Sequence, residues 1–295
     1  MRWRVNPELR CPYKKSMKLA YSLWKPETAG STKDSGTDIP KILLLHGMGG
    51  TGALWRPIAA SLEDRYEVLA PDQRGHGKSL ITSPDATYTP QDYGQDIVET
   101  LDELDFHPTW IVGHSMGVRS ACATAHLKPD WVQGLILVDL GFSGPAGGGL
   151  GDGLAQFLKM LPHEFESRAQ ARLFMQANCP DQAIAQYLMA VSVQSPGGAI
   201  RFPFDQPALI KTIEAVRDTS VRDWVQQFAS RGMPILVLRG AESGVWNHEE
   251  FEKERAHFKA TPNVVFEEFP GAGHGLPFEK RREFVERITA FMQGA

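Results

Sequence analysis

Two short stretches carry side chains suited to acyl transfer. Residues 112–117 read VGHSMG and residues 269–275 read FPGAGHG. A serine and a histidine thus stand among glycines, which leave the backbone free to turn tightly. The first stretch has the G-x-S-x-G pattern, and it follows an apolar run, 109–112, and opens a helical one, the strand-to-helix context that the pattern requires. There Ser115 is thrust out at a helix N-terminus, where unpaired N–H groups and the macrodipole favour a developing negative charge. A serine hydroxyl needs a base to become a nucleophile. His274, on a short loop after the last strand-like run, is singled out for that role by its place among the chain's nine histidines, since an imidazole there can swing towards a neighbouring loop.

Residues 44–50 read LLHGMGG after another strand-like run. Their glycines let the backbone approach an oxyanion, so the N–H of Met48 can pair with that of Met116 as an oxyanion hole. The same glycines support a rival reading. Gly47, Gly49 and Gly52 spell G-x-G-x-x-G, and Asp72 lies 20 residues beyond Gly52, as in a dinucleotide fingerprint, which would make the protein an NAD-dependent oxidoreductase. His46 ahead of the glycines and RGHG at 74–77 weigh against it, and it explains neither GHSMG nor His274. No cofactor and no metal are therefore expected.

These residues need a scaffold, and the apolar runs supply one. KILLLHG, YEVLAPDQRG, TWIVGHS, GLILVDLG, PILVLRG and NVVFEEFPG are each too short for a helix and end in a glycine or charged turn, as buried parallel strands do. Residues 17–24 alternate enough to make a further strand. Helical patterns lie between, at 88–104, 116–128, 248–260 and 277–292. Alternation of this kind predicts an α/β fold with a mostly parallel, doubly covered sheet. It breaks once, between Gly141 and Gly232, where no strand-like run appears. GFSGPAGGGLGDG reads as a flexible exit from the sheet, followed by helical segments around 154–161, 167–177, 181–193, 207–217 and 221–229. The organisation expected is a core of residues 1–140 and 233–295 with a helical cap, 141–232.

Bulk properties narrow the partners. A formal net charge of −4 over 295 residues gives no footprint for nucleic acid or an anionic membrane. No run approaches the roughly 18 apolar residues of a membrane span. The N-terminal MRWRVNPELRCPYKK has charge but no apolar signal core. Three cysteines, Cys11, Cys122 and Cys179, without metal-ligand spacing, fit free thiols in a reducing, cytoplasmic setting.

In HGMGG at 46–50, DQRGHGKS at 72–79, GHSMG at 113–117, GLILVDLG at 134–141, LRGAES at 238–243 and GAGHG at 271–275, the chain resembles the α/β-hydrolase fold superfamily, with the motifs in the family's order. The resemblance implies Ser115 as nucleophile, His274 as base, Met48 and Met116 as oxyanion donors, and a lid-type insertion where the strand pattern breaks. Serine at the nucleophile position disfavours the haloalkane dehalogenases and epoxide hydrolases, which use aspartate there.

The acid is where this sequence departs from the family. In most relatives it stands three or four residues after the glycine that is here Gly240, places held by Ser243 and Gly244. A carboxylate fixes the histidine tautomer and steadies the imidazolium, and its removal from a well-studied protease costs about 10⁴ in rate. Asp139 and Glu242 are the candidates. Asp139 ends the strand-like run LILVD, and some relatives carry their acid at the corresponding place; adjacent strands lie about 4.8 Å apart, so it would face the same crevice. Glu242 could instead pair on the surface with Arg239 or Arg255. Asp139 is the assignment adopted.

Apolar residues of the cap, among them Phe142, Leu154, Phe157, Leu158, Phe174, Tyr187 and Trp224, are expected to pack its helices together, while some line the crevice beside Met48, Met116 and Trp246. An apolar pocket suits an uncharged small-molecule ester with a small or medium acyl group. Carbon–carbon bond hydrolases and enol-lactonases share the machinery and remain alternatives. Arg119, four residues after the nucleophile, is expected at the surface or in a salt bridge.

Overall fold

The computed structural model describes residues 17–26, 39–81, 85–143, 149–217 and 219–294. Cys11, most of the polar turn at 27–40 and the middle of the glycine patch lie outside them. Seven strands form the main sheet in the order β1-β3-β2-β4-β5-β8-β9. In chain order these are β1 (Tyr21–Trp24), β2 (Lys41–Leu45), β3 (Glu67–Pro71), β4 (Trp110–His114), β5 (Gly134–Val138), β8 (Ile235–Gly240) and β9 (Val264–Phe269). β1 pairs antiparallel with β3, and all other pairings are parallel. All six expected parallel strands form, and 17–24 supplies β1.

The apolar runs show no alternation because both faces are buried. Leu43, Leu45, Ile111, Leu135, Leu137, Ile235 and Val237 point into one core cluster. Their neighbours Ile42, Leu44, Val112, Ile136, Val138, Leu236 and Leu238 point into the opposite one. The first face is covered by α2 (Pro90–Glu103), α3 (Met116–Leu127), α8 (Arg222–Ser230) and α9 (His248–His257). The second is covered by the short α1 (Arg56–Ala59) and by α11 (Arg281–Gly294), with α10 (Leu276–Glu279) leading into it. α2 starts where Thr89 and Asp92 form a capping box on either side of Pro90, which satisfies two end N–H groups reciprocally.

Between β5 and β8 the chain forms α4 (Gly149–Met160), α5 (Arg168–Asn178), α6 (Gln182–Val191) and α7 (Gln206–Arg217) before α8. Ala155, Phe157, Leu158, Phe165, Met175, Leu188, Ile200 and Leu209 build a separate apolar cluster there. Three details differ from the sequence reading. A two-stranded ribbon, β6 (Val193–Gln194) and β7 (Ile200–Arg201), stands where no strand was expected, closed by the turn around Gly198 (φ 91°). α4 begins within the glycine patch, its weak glycine propensity offset by burial of Ala155, Phe157 and Leu158. Phe142 and Trp224 pack with the sheet cluster, not with the insertion; α8 adds Val225 and Phe228 to that cluster. Among the described residues no helix is long and apolar enough to cross a membrane.

Candidate active site

The strand order reverses between β2 and β4, and in such sheets a crevice opens beyond the carboxyl ends of the strands. Ser115 occupies that place. It adopts φ 54° and ψ −123° between β4 and α3, a strained conformation that few non-glycine residues hold. The turn is possible because its neighbours lack side chains. A Cβ on Gly113 would lie 2.3 Å from the Gly117 carbonyl oxygen, and one on Gly117 would lie 2.3 Å from that of Leu45.

Asp139, directly after β5, is also left-handed, at φ 56°. Ser115, Asp139 and Asp105 are the non-glycine residues with positive φ among those described, so two of three such positions fall in one crevice. Asp139 is fully buried. Its Oδ1 accepts from the Gly240 amide at 2.9 Å, and its Oδ2 accepts from the Ser243 hydroxyl at 2.5 Å and from His274 Nδ1–H at 2.7 Å. With Nδ1 so engaged, His274 Nε2 accepts from Ser115 Oγ–H at 3.0 Å. A chain of this kind can take the serine proton as the oxygen attacks and hold the imidazolium that forms.

The histidine loop is fixed from two sides. Glu279 accepts from the amides of Gly273 and Gly275 at 2.6 and 3.1 Å. His114 Nε2–H donates to the His274 carbonyl at 2.7 Å. Burial and the neighbouring His274 push His114 down to about 3, so it stays neutral beside the reacting imidazole. Its Nδ1 and the buried Tyr187 hydroxyl of α6 have no hydrogen-bond partner among the described residues, and both residues line the cavity.

The glycine loop after β2 is held by two more buried histidines. His46 Nδ1–H donates to the Gly47 carbonyl, and its Nε2 accepts from the Gln73 amide at 3.0 Å. His76 Nδ1–H donates to the Arg74 carbonyl, and its Nε2 accepts from the Gly49 amide at 3.0 Å. Burial lowers them to about 4 and about 3, which preserves the lone pairs that accept. Met48 and Met116 both line the cavity beside Ser115, and neither amide bonds a described residue. The dinucleotide reading loses its parts here. Asp72 accepts from the amides of Gly52 and Lys78 at 2.9 Å each, and the Gly49 and Gly52 amides that would cradle a pyrophosphate are spent within the chain.

Glu242 is exposed and stands apart from this network. The arginines expected to pair with it are taken, Arg239 by Glu268 and Arg255 by Glu252. Arg239, 3% exposed, instead shapes the β8 loop by donating to the carbonyls of Trp246, Ala241 and Ser243.

The cavity over Ser115 has a volume of about 320 Å³. Leu154, Leu158 and Tyr187 reach it as the cap residues were expected to, with Trp246. Sequence reading missed Ile184 and Leu188 of α6 and Leu209, Ile213 and Val216 of α7, whose three- and four-residue spacing marks one helix face. The expectation for Arg119 is overturned. It is 4% exposed, lines the cavity and bonds backbone carbonyls, because it sits on a helix whose residues from Met116 to Ala125 are all buried.

A sequence model of the alpha/beta hydrolase family matches residues 42–287. The chain is 27% identical over 270 residues to the sn-1-specific diacylglycerol lipase ABHD11 of Mus musculus, covering 88% of this chain and 83% of that protein. It is 36% identical over 270 residues to a putative carbamate hydrolase, RutD, of Caulobacter segnis, covering 86% and 91%. A solved marine microorganism esterase superposes with a TM-score of 0.72 over 94% of this chain and 100% of that one, at 21% identity, a likeness of fold.

Proposed function

The chain belongs to the alpha/beta hydrolase family, and on that premise we propose that it is a serine hydrolase cleaving carboxylic esters through an acyl-enzyme. The observation that carries this reading is the continuous pair of hydrogen bonds from Ser115 through His274 to Asp139, at 3.0 and 2.7 Å. Ser115 Oγ attacks the ester carbonyl as His274 Nε2 takes its proton. The amides of Met48 and Met116 receive the oxyanion, a donor pair in which each member is worth about 3–4 kcal/mol to the transition state. His274 then protonates the leaving alcohol, and a water deprotonated by the same imidazole releases the acyl group. Asp139, fed by Gly240 and Ser243, keeps the ring in the tautomer this sequence needs.

The insertion acts as a cap in this proposal. α4, α6 and α7 roof the crevice with apolar side chains, which exclude water and favour an acyl group of small to medium size. Relatives named as a diacylglycerol lipase and a putative carbamate hydrolase are in keeping with a hydrolytic activity of this kind.

The test is covalent labelling. A fluorophosphonate should add once, on the peptide containing Ser115, and Ser115→Ala should abolish the adduct. Folded wild-type protein that takes no label would refute the serine-hydrolase reading.

A further inference from the structure

Arg119 lies on α3 one helical turn after Ser115 and borders the same cavity. Its Nη1 donates to the Thr219 carbonyl at 3.0 Å and its Nη2 to the Ser143 carbonyl at 2.5 Å. Both acceptors are neutral. Among the described residues no carboxylate forms an ion pair with it, and its other N–H groups have no hydrogen-bond partner.

The other two cations on that wall have carboxylate partners, and Glu250 is the lining carboxylate that forms no ion pair among the described residues. Arg222 grips Glu254 through Nε and Nη2 at 3.1 and 2.8 Å, and Lys253 pairs with Glu249 at 2.7 Å and stands beside Glu250. Glu254, already engaged, offsets only part of what burial costs Arg119, whose guanidinium is pushed down to about 10. A buried cation without its own anion is costly, and a planar guanidinium with free N–H groups is the side chain best shaped to take a carboxylate.

We infer that Arg119 is a substrate-binding residue that receives a free carboxylate, so that the preferred substrates are short esters carrying an acid group near the scissile carbonyl. This rests on the serine-hydrolase reading and narrows its substrate class. One helical turn is about 5.4 Å along the axis, a gap that a dicarboxylate the size of glutarate spans, with its methylenes against the apolar walls. Arg119 also holds the chain before α4 and after α7 through Ser143 and Thr219, so its substitution also loosens the roof. A ratio of substrates is therefore the proper readout.

The experiment measures kcat/KM by pH-stat titration for two matched pairs, monoethyl glutarate against ethyl valerate and para-acetoxybenzoate against its methyl ester. Wild-type protein should prefer the anionic member of at least one pair by about ten- to a hundredfold, chiefly through KM. The pair that responds tells whether the carboxylate sits on the acyl or the leaving side. Arg119→Met should bring the ratio near unity, and Arg119→Lys should restore part of it. Wild-type protein that turns over the uncharged members as well in both pairs overturns the inference, whatever the variants' folding, and so does a preference that survives Arg119→Met. Failure of fluorophosphonate to label Ser115, with no ester cleaved, brings down the hydrolase reading as well; labelling without a charge preference brings down this inference alone.

Discussion

β5 and β8 run side by side in register, Leu135 opposite Ile235 and Val138 opposite Leu238, yet their ends are built differently. β5 ends in Asp139, fully buried, left-handed and bonded to His274. β8 ends in a loop whose carboxylate, Glu242, is exposed and whose buried residue is Ser243. At the place where most relatives carry the acid, Ser243 instead donates to the Asp139 carboxylate. In this chain the carboxylate oxygen beside His274 Nδ1 comes from the end of β5, and the end of β8 supplies a hydroxyl that holds it.

Four substitutions probe that comparison. Asp139→Asn should lower kcat for ester hydrolysis by about three to four decades, or about 4–5.5 kcal/mol, with the thermal transition retained; a loss under tenfold would break it. Asp139→Asn combined with Ser243→Asp moves the acid from one strand end to the other, and should recover at least about a decade of that loss. No recovery in a folded double variant would mean that the β8 end cannot serve. Ser243→Ala removes one hydrogen bond to a charged acceptor and should cost about 1.5–3 kcal/mol in kcat/KM, read from initial rates. Glu242→Gln should leave kcat within about twofold, since an exposed side chain away from the chemistry has little to lose.

How far the sequence reveals these features depends on whether the deciding force is local. The sheet was legible because both faces bury short apolar runs, which is a local pattern. Ser115 and His274 stood out because glycines flank both, Gly113 and Gly117 being required by close backbone approach and Gly271 by its left-handed φ of 67°. Asp139 was preferred to Glu242 from its place at the end of LILVD, whereas its burial and its contact with His274 across 135 residues are encoded by no spacing. The β6–β7 ribbon escaped because each strand has two residues, too few for a period, although SPGG at 195–198 is a turn signal. Arg119 was misread from its charge. The signal that could have placed it was its setting, since MGVRSACATA is small or apolar almost all round, and a helix of that kind is buried on every face.

Asp139 holds the imidazole of His274 through its Nδ1–H. The most direct measurement is the low-field proton NMR spectrum of the resting protein, where an Nδ1–H hydrogen-bonded to a buried carboxylate is strongly deshielded. A low-field resonance should be present in wild type and in Glu242→Gln, and absent in His274→Ala and Asp139→Asn. A His274 resonance that survives Asp139→Asn, or one lost in Glu242→Gln, would contradict the assignment.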